Sequence, residues 1–261
     1  MSARSTRAWR ITGVIALVFV LVMGGAQTMA LVARQSRTEQ QVFVAEEVHK
    51  LRLATSSASV RIRPGVEGRV VLRKNLDWTV SEPRVRADVV GDTMTVGVEC
   101  RRSLPFYNCG ASIELEVPAG TEVAGTVTSG SVEVSDLSGA VRLDGTSGAI
   151  LLHGLSGPVR ARTTSGMTQG TDLSSAQAEV SSTSGSVDLT FRSAPQDVKV
   201  SATSGSVTVR VPRGNRYRIN GGTGSGSINI DPALGDAASS RSLEADVGSG
   251  SLDIGYRPDP E

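Results

Sequence analysis

The chain has 261 residues, a formal charge of +1, 29 glycines and only 3% aromatic residues. The near-zero charge gives no electrostatic reason to expect nucleic acid or an anionic surface as a partner. Abundant glycine with few aromatics disfavours a helical enzyme and favours many short strands joined by tight turns around small cores.

Residues 1–10 carry Arg4, Arg7 and Arg10 and precede ITGVIALVFVLVMGGAQTMALVA, an uncharged run from Ile11 to Ala33. At about 1.5 Å per helical residue this run can span a hydrocarbon core of roughly 30 Å. The arginines ahead of it place residues 1–10 in the cytoplasm and the bulk of the chain outside. The competing reading is a cleaved signal peptide with an apolar centre at Ile11 to Val22 and small residues at Thr28 to Ala30. The first reading gives a single-pass protein of the cytoplasmic membrane, in contact with the bilayer through residues 11–33; the second gives a secreted one. Both export the chain.

Residues 34–47 are mostly polar and charged and read as a tether, with QVFVAEE at its end as a candidate edge strand. Residues 48–261 read as one β-strand-repeat domain. Its first part holds alternating segments such as LRLATSSASVRIRPG, RVVLRKN, VRADVV, TMTVGV and SIELEVPAG, bounded by Gly, Pro and Asn. Cys100 and Cys109 flank RRSLPFYN within this part. In an oxidising compartment they are expected to close a small loop worth about 2–3 kcal/mol. The alternatives are two free thiols, or a metal site that would need ligands from elsewhere, with only His49 and His153 as histidines.

From residue 128 a phrase recurs: TSGSVEV, TSGAILL, TSGMTQG, TSGSVDL, TSGSVTV, GSGSINI, GSGSLDI. Its glycines are Gly130, Gly148, Gly166, Gly185, Gly205, Gly226 and Gly250, at intervals of 18, 18, 19, 20, 21 and 24 residues. Apolar residues keep step with them. Val132, Val134, Leu137, Val141 and Leu143 follow Gly130 at the offsets at which Ile150, Leu152, Leu155, Val159 and Ala161 follow Gly148. Period-two alternation predicts two short strands per repeat, one face buried and the other solvated. The expected fold is therefore all-β: a β-solenoid, or β-helix-like stack, of coils of 18–24 residues, each stacked on its neighbours about 4.8 Å away. The glycines are expected to be structural turn residues, with a cost of about 1–2 kcal/mol for Gly130→Val if the position is left-handed. The copy at Gly166 is weak, with Thr168 and Gly170 in aliphatic places, and marks a bulge, a thin rung or a local adaptation. The final YRPDPE is expected to discourage pairing at the end of the stack.

Four kinds of chemistry are weighed against this. A serine hydrolase elbow requires G-x-S-x-G and a histidine base, and the pentapeptide is missing. NGGTGSGS at Asn220 to Ser227 has glycines but no following G-K-[ST] and no expected helix. Asp136, Asp144, Asp172, Asp188 and Asp253 lie near turns without the constant offset a calcium-binding repeat requires. Arg142, Arg160 and Arg162 with Asp144 could form a charged strip of the kind used by carbohydrate-active β-helix enzymes; a solvated surface is the simpler account. No catalytic residue, cofactor or metal is assigned.

The repeated SGSVxV elements, the VPAG at Val117 to Gly120 and the preceding apolar segment together resemble a bacterial β-strand-repeat domain of unknown function, the "putative adhesin" family, over Val48 to Tyr256. The resemblance implies a β-helix-like fold at or outside the membrane and no catalytic residues. The expected role is a non-enzymatic, adhesin-like display or interaction scaffold at the cell envelope, with an envelope protein or a cell-wall glycan as partner. The alternatives are an envelope-stress accessory protein acting through the anchor or tether, and a carbohydrate-active β-helix enzyme.

Overall fold

In a computed structural model of the chain, residues 16–17, 35–44, 48–78, 81–99 and 109–258 are described. The expected membrane segment at 11–33 lies almost wholly outside them, as does Cys100. Cys109 is described only in its backbone, opposite Trp78. Among the described residues no helix is long and apolar enough to cross a membrane.

The protein is built from one 13-stranded sheet. Its strands are β1 (Gln35–Val44), β2 (Lys50–Pro64), β3 (Arg69–Trp78), β4 (Arg84–Val90), β5 (Thr93–Glu99), β6 (Cys109–Val117) and β7 (Glu122–Ser135). They continue as β8 (Val141–His153), β9 (Val159–Leu173), β10 (Gln177–Phe191), β11 (Asp197–Val211), β12 (Arg218–Ile230) and β13 (Ser242–Tyr256). From β2 onward the stack is parallel, one strand per repeat, as a β-solenoid requires.

The two short strands expected per repeat are joined. In β8, Val141 and Leu143 on the first leg and Ile150 and Leu152 on the second are all buried, and between them the ladder passes over Thr146 alone, pairing Gly145 before it and Ser147 and Gly148 after it. The corner keeps its backbone pairing because its glycines stack directly on one another. A Cβ on Gly148 would lie 2.1 Å from the carbonyl oxygen of Gly130, and one on Gly166 2.0 Å from that of Gly148. Their φ angles, +154° and +149°, are wide positive values and not the narrow left-handed turn expected. Space as much as torsion therefore excludes a side chain.

A second corner closes the early coils. Asp136, Gly154 and Asp172 stand one residue before the buried Leu137, Leu155 and Leu173, at φ of +54°, +60° and +51°. Aspartate and glycine are suited to this left-handed position, so Asp136 and Asp172 are turn residues and not parts of a calcium repeat. After β9 the corner is dropped. The strand continues straight into Phe191, and the register shifts between Leu189 and Phe191. The weak copy at Gly166 is thus the junction of two coil types. A Cβ on Gly170 would meet Leu173 Cδ1 at 2.7 Å, so Leu173 occupies the missing aliphatic's place. Thr168 is fully buried beside Ile150 and Val187, and its hydroxyl has no hydrogen-bond partner. Thr168→Val should raise stability by about 1–2 kcal/mol by removing that unpaired group, measured by urea denaturation; a loss of stability would mean that the hydroxyl is satisfied.

The stack departs from chain order at both ends. The C-terminal strand β13 inserts between β11 and β12, so the final coil in sequence is internal and β12 is the edge. The expectation that YRPDPE guards the end of the stack is therefore corrected. At the other end, β5 pairs with the first leg of β2 and β6 with its second, forming a split rung. β4 pairs antiparallel with β5, and β3 with β6. Within the segment 34–47 expected to be a tether, residues 35–44 form β1, antiparallel to β3 and tied to it by Lys74 and Glu39, whose Nζ and Oε2 lie 2.8 Å apart. The candidate edge strand is thus longer than QVFVAEE suggested, because the alternating polar residues before it can pair along an already formed sheet.

Candidate functional site: a hydroxyl-lined groove along the corners

The corner triplet T-S-G places its threonine beside the same residue of the next coil. Parallel register therefore aligns Thr128, Thr146, Thr164, Thr183 and Thr203 in consecutive rungs, all exposed. At about 4.8 Å per rung the ladder extends about 19 Å. Two residues upstream a second row holds Thr126, Asp144, Arg162, Ser181, Ser201 and Asp246. The two rows flank a groove of about 730 Å³ that crosses six coils. Between the rows, the inward positions are Val127, Gly145, Thr163, Ser182 and Ala202. They are small because the two legs of the coil converge there and leave little interior volume. The hydroxyls of Thr163 and Ser182 are buried without partners.

The corner glycines Gly130, Gly148, Gly166, Gly185, Gly205, Gly226 and Gly250 form a column beside this groove and provide no functional atoms. Their role is to let the rungs approach. The ladder was visible in the sequence as the threonine of the five T-S-G corners. Its use as a groove wall was not, because repetition alone does not say which way a corner bends.

The arginine strip proposed from sequence is assembled. Arg142 pairs laterally with Arg160, and Asp144 with Arg162, on adjacent strands. Glu179 on the next coil engages both Arg160 and Arg162. Arg160 beside it holds the Glu179 carboxyl below its ordinary range. Arg160 and Arg162 are thus committed to a surface ion-pair ladder, which Lys199 and Glu244 continue at 3.1 Å. His153 is exposed and shares a 2.9 Å hydrogen bond with Thr171; His49 is exposed at the start of the domain. Among the described residues no group of three or more His, Cys, Asp or Glu side chains is placed to hold a metal.

Other carboxylates are held low in the same way, Glu116 by Arg73 and Asp253 by Arg210. A depressed folded pKa contributes stability that is present above the unfolded value and lost as pH falls through the folded one. The melting temperature should therefore be flat from neutral pH to about 5 and fall below about 4. A fall already complete at pH 5 would contradict this assignment.

A stack of bent parallel strands with a polar groove along its corners defines a β-repeat protein. The chain belongs to the Toastrack DUF4097 family, whose domain matches residues 112–254. No curated protein matches the chain. Among solved structures, a "putative cell adhesion protein" from Clostridium sporogenes is 13% identical, with a TM-score of 0.39, covering 85% of this chain and 100% of its own. A "putative adhesin" from Parabacteroides merdae is 10% identical, with a TM-score of 0.38, covering 84% and 96%. A "putative lipid binding protein" from Parabacteroides distasonis is 11% identical, with a TM-score of 0.24, covering 84% and 96%.

Proposed function

We propose that the protein is a non-enzymatic scaffold, anchored in the cytoplasmic membrane by residues 11–33 and displaying its β-stack outside, where the corner groove takes up an extended cell-wall glycan. The observation that carries this reading is the threonine ladder. Hydroxyls repeat along one groove at about 4.8 Å per rung, a spacing close to that of successive sugars in an extended chain, and Asp144 and Asp246 stand in the adjoining row. Hydroxyl groups both donate and accept, as sugar hydroxyls do. A rigid stack holds the ladder in place without an ordering cost on binding. On this reading Cys100 and Cys109 form a disulfide in the oxidising compartment.

The test is binding of the detergent-solubilised full chain to purified cell-wall sacculi. The triple substitution Thr146→Val, Thr164→Val, Thr183→Val should weaken it at least tenfold while leaving the melting temperature near that of the parent. Unchanged binding would overturn the groove assignment. Protease shaving of intact cells tests the topology, since full protection of residues 48–258 would contradict external display.

A further inference from the structure

The two ends of the stack are finished differently. At the N-terminal end the rung of β2 is covered by β5 and β6, and these in turn by β4, β3 and β1. The outermost strands there are charged, with Arg37 and Glu39 in β1 and Arg84, Arg86 and Asp88 in β4. Charges on an edge resist pairing with another chain. At the opposite end β12 pairs with β13 on one side and with no strand on its other side among the described residues. From Ile219 to Ile230 it reads INGGTGSGSINI, without a charge or a proline. Ile228 is 48% exposed there.

Backbone alternation identifies which groups are free. The N–H of Arg218 donates to Arg241 O and that of Asp231 to Ile254 O, both on the β13 side. The N–H of Tyr217 donates the other way, to Leu234 O. Successive residues of a strand turn their N–H and C=O to opposite edges. The groups of Ile219, Gly221 and Thr223 on the first leg therefore point off the end of the stack. Those of Gly226, Ile228 and Ile230 on the second leg do the same.

These two sets are complementary about the corner. A two-fold axis through the bend, between Gly224 and Ser225, superposes one leg on the other. It sets a second, antiparallel β12 against the first with Ile219 opposite Ile230, Gly221 opposite Ile228 and Thr223 opposite Gly226. Every free residue then faces a free residue, as mutual hydrogen bonding in an antiparallel pair requires. In the same register Arg218 of each copy stands opposite Asp231 of the other, two oppositely charged pairs closing the ends of the uncharged stretch. Ile228 of each copy stands opposite Gly221 of the other, and Ile230 opposite Ile219, so the apolar interior continues from one stack into the next. The segment at 234–236, bonded to Tyr217, limits the pairing to residues 218–231.

We infer that β12 is a self-association edge, and that two copies join end to end through antiparallel β12 strands into a closed two-fold dimer with one continuous stack. The capped N-terminal ends leave such a dimer no further edge of this kind, so the assembly stops at two.

Sedimentation velocity of the detergent-solubilised full chain tests the assembly, and a cysteine pair tests its register. The parent protein is expected to dimerise. Ile228→Lys should make it monomeric, with a melting temperature matching that of the parent diluted until it too is monomeric, and Arg218→Asp should weaken the dimer about tenfold or more through like-charge opposition. In the Asn220→Cys, Asn229→Cys double variant, residues opposite each other only between copies, mild oxidation should give a covalent dimer. Asn220→Cys alone should not. A monomer at every concentration, a dimer indifferent to Ile228→Lys, or a dimer without the cross-link would each overturn the inference.

Discussion

Gly205→Ala should destabilise the protein by about 3 kcal/mol or more, an unusual loss for adding one methyl group. A Cβ at this position would lie 1.8 Å from the carbonyl oxygen of Gly185, and the φ of +136° is one that L side chains rarely adopt. Neither obstacle can relax alone. Moving Gly205 away from β10 drives it toward β13, where Gly250 stacks on it with the same clearance of 1.8 Å. The rungs on both sides would have to part and lose ladder hydrogen bonds. Gly91→Ala is the matched control, since its φ is +58° but nothing lies within 4 Å of the new methyl. It should cost only about 1–2 kcal/mol, the torsional part. Thermal and urea melts of the two variants separate strain from stacking; equal losses would mean that the column is not close-packed.

Leu252→Ala should cost about 2–5 kcal/mol, the range for truncating a fully enclosed leucine. If the coils stacked in chain order, Leu252 would belong to the end rung with a neighbour on one side only. It is instead 1% exposed, between Val207 of β11 and Ile228 of β12. Cross-linking reads the same order directly. Ser206 and Ser251 are lateral neighbours, so Ser206→Cys with Ser251→Cys should form a disulfide, whose Cα atoms must lie within about 7 Å. Ser206→Cys with Ser227→Cys, two rungs apart at about 9.6 Å, should not. The reverse result would restore the sequential order.

The consequence for the surface is specific. Inserting β13 hides a strand bearing Glu244, Asp246 and Asp253 and leaves outermost the glycine-rich β12, uncharged from Ile219 to Ile230. The threonine ladder ends at Thr203 in either order, because both remaining corners, at Gly248 and Gly224, have glycine where threonine stood. The groove's threonines, on β7 to β11, and the open edge on β12 therefore lie on different strands, and their proposed roles can be tested independently.

Periodicity by itself determined most of the architecture. The spacing of Gly130, Gly148 and Gly166 and the matched valines and leucines specify parallel coils with buried alternate residues, since one register satisfies both backbone pairing and apolar burial. The threonine ladder follows from the same register. What only the tertiary structure decided concerns interactions that no local pattern encodes. Successive Ser-Gly corners are alike, so either of the last two strands satisfies the ladder beside β11; the long connection at 231–241 permits the swap, and packing selects it. The left-handed turns at Asp136 and Asp172 were hidden because Gly154 stands between them in the series, and the equivalence is one of conformation, not of residue type. The fate of Arg160 and Arg162 depended on Glu179, nearly twenty residues away in the chain but one rung away in space. A repeat fixes what each rung looks like; the order of the rungs, their bend and their free edge come from how they stack.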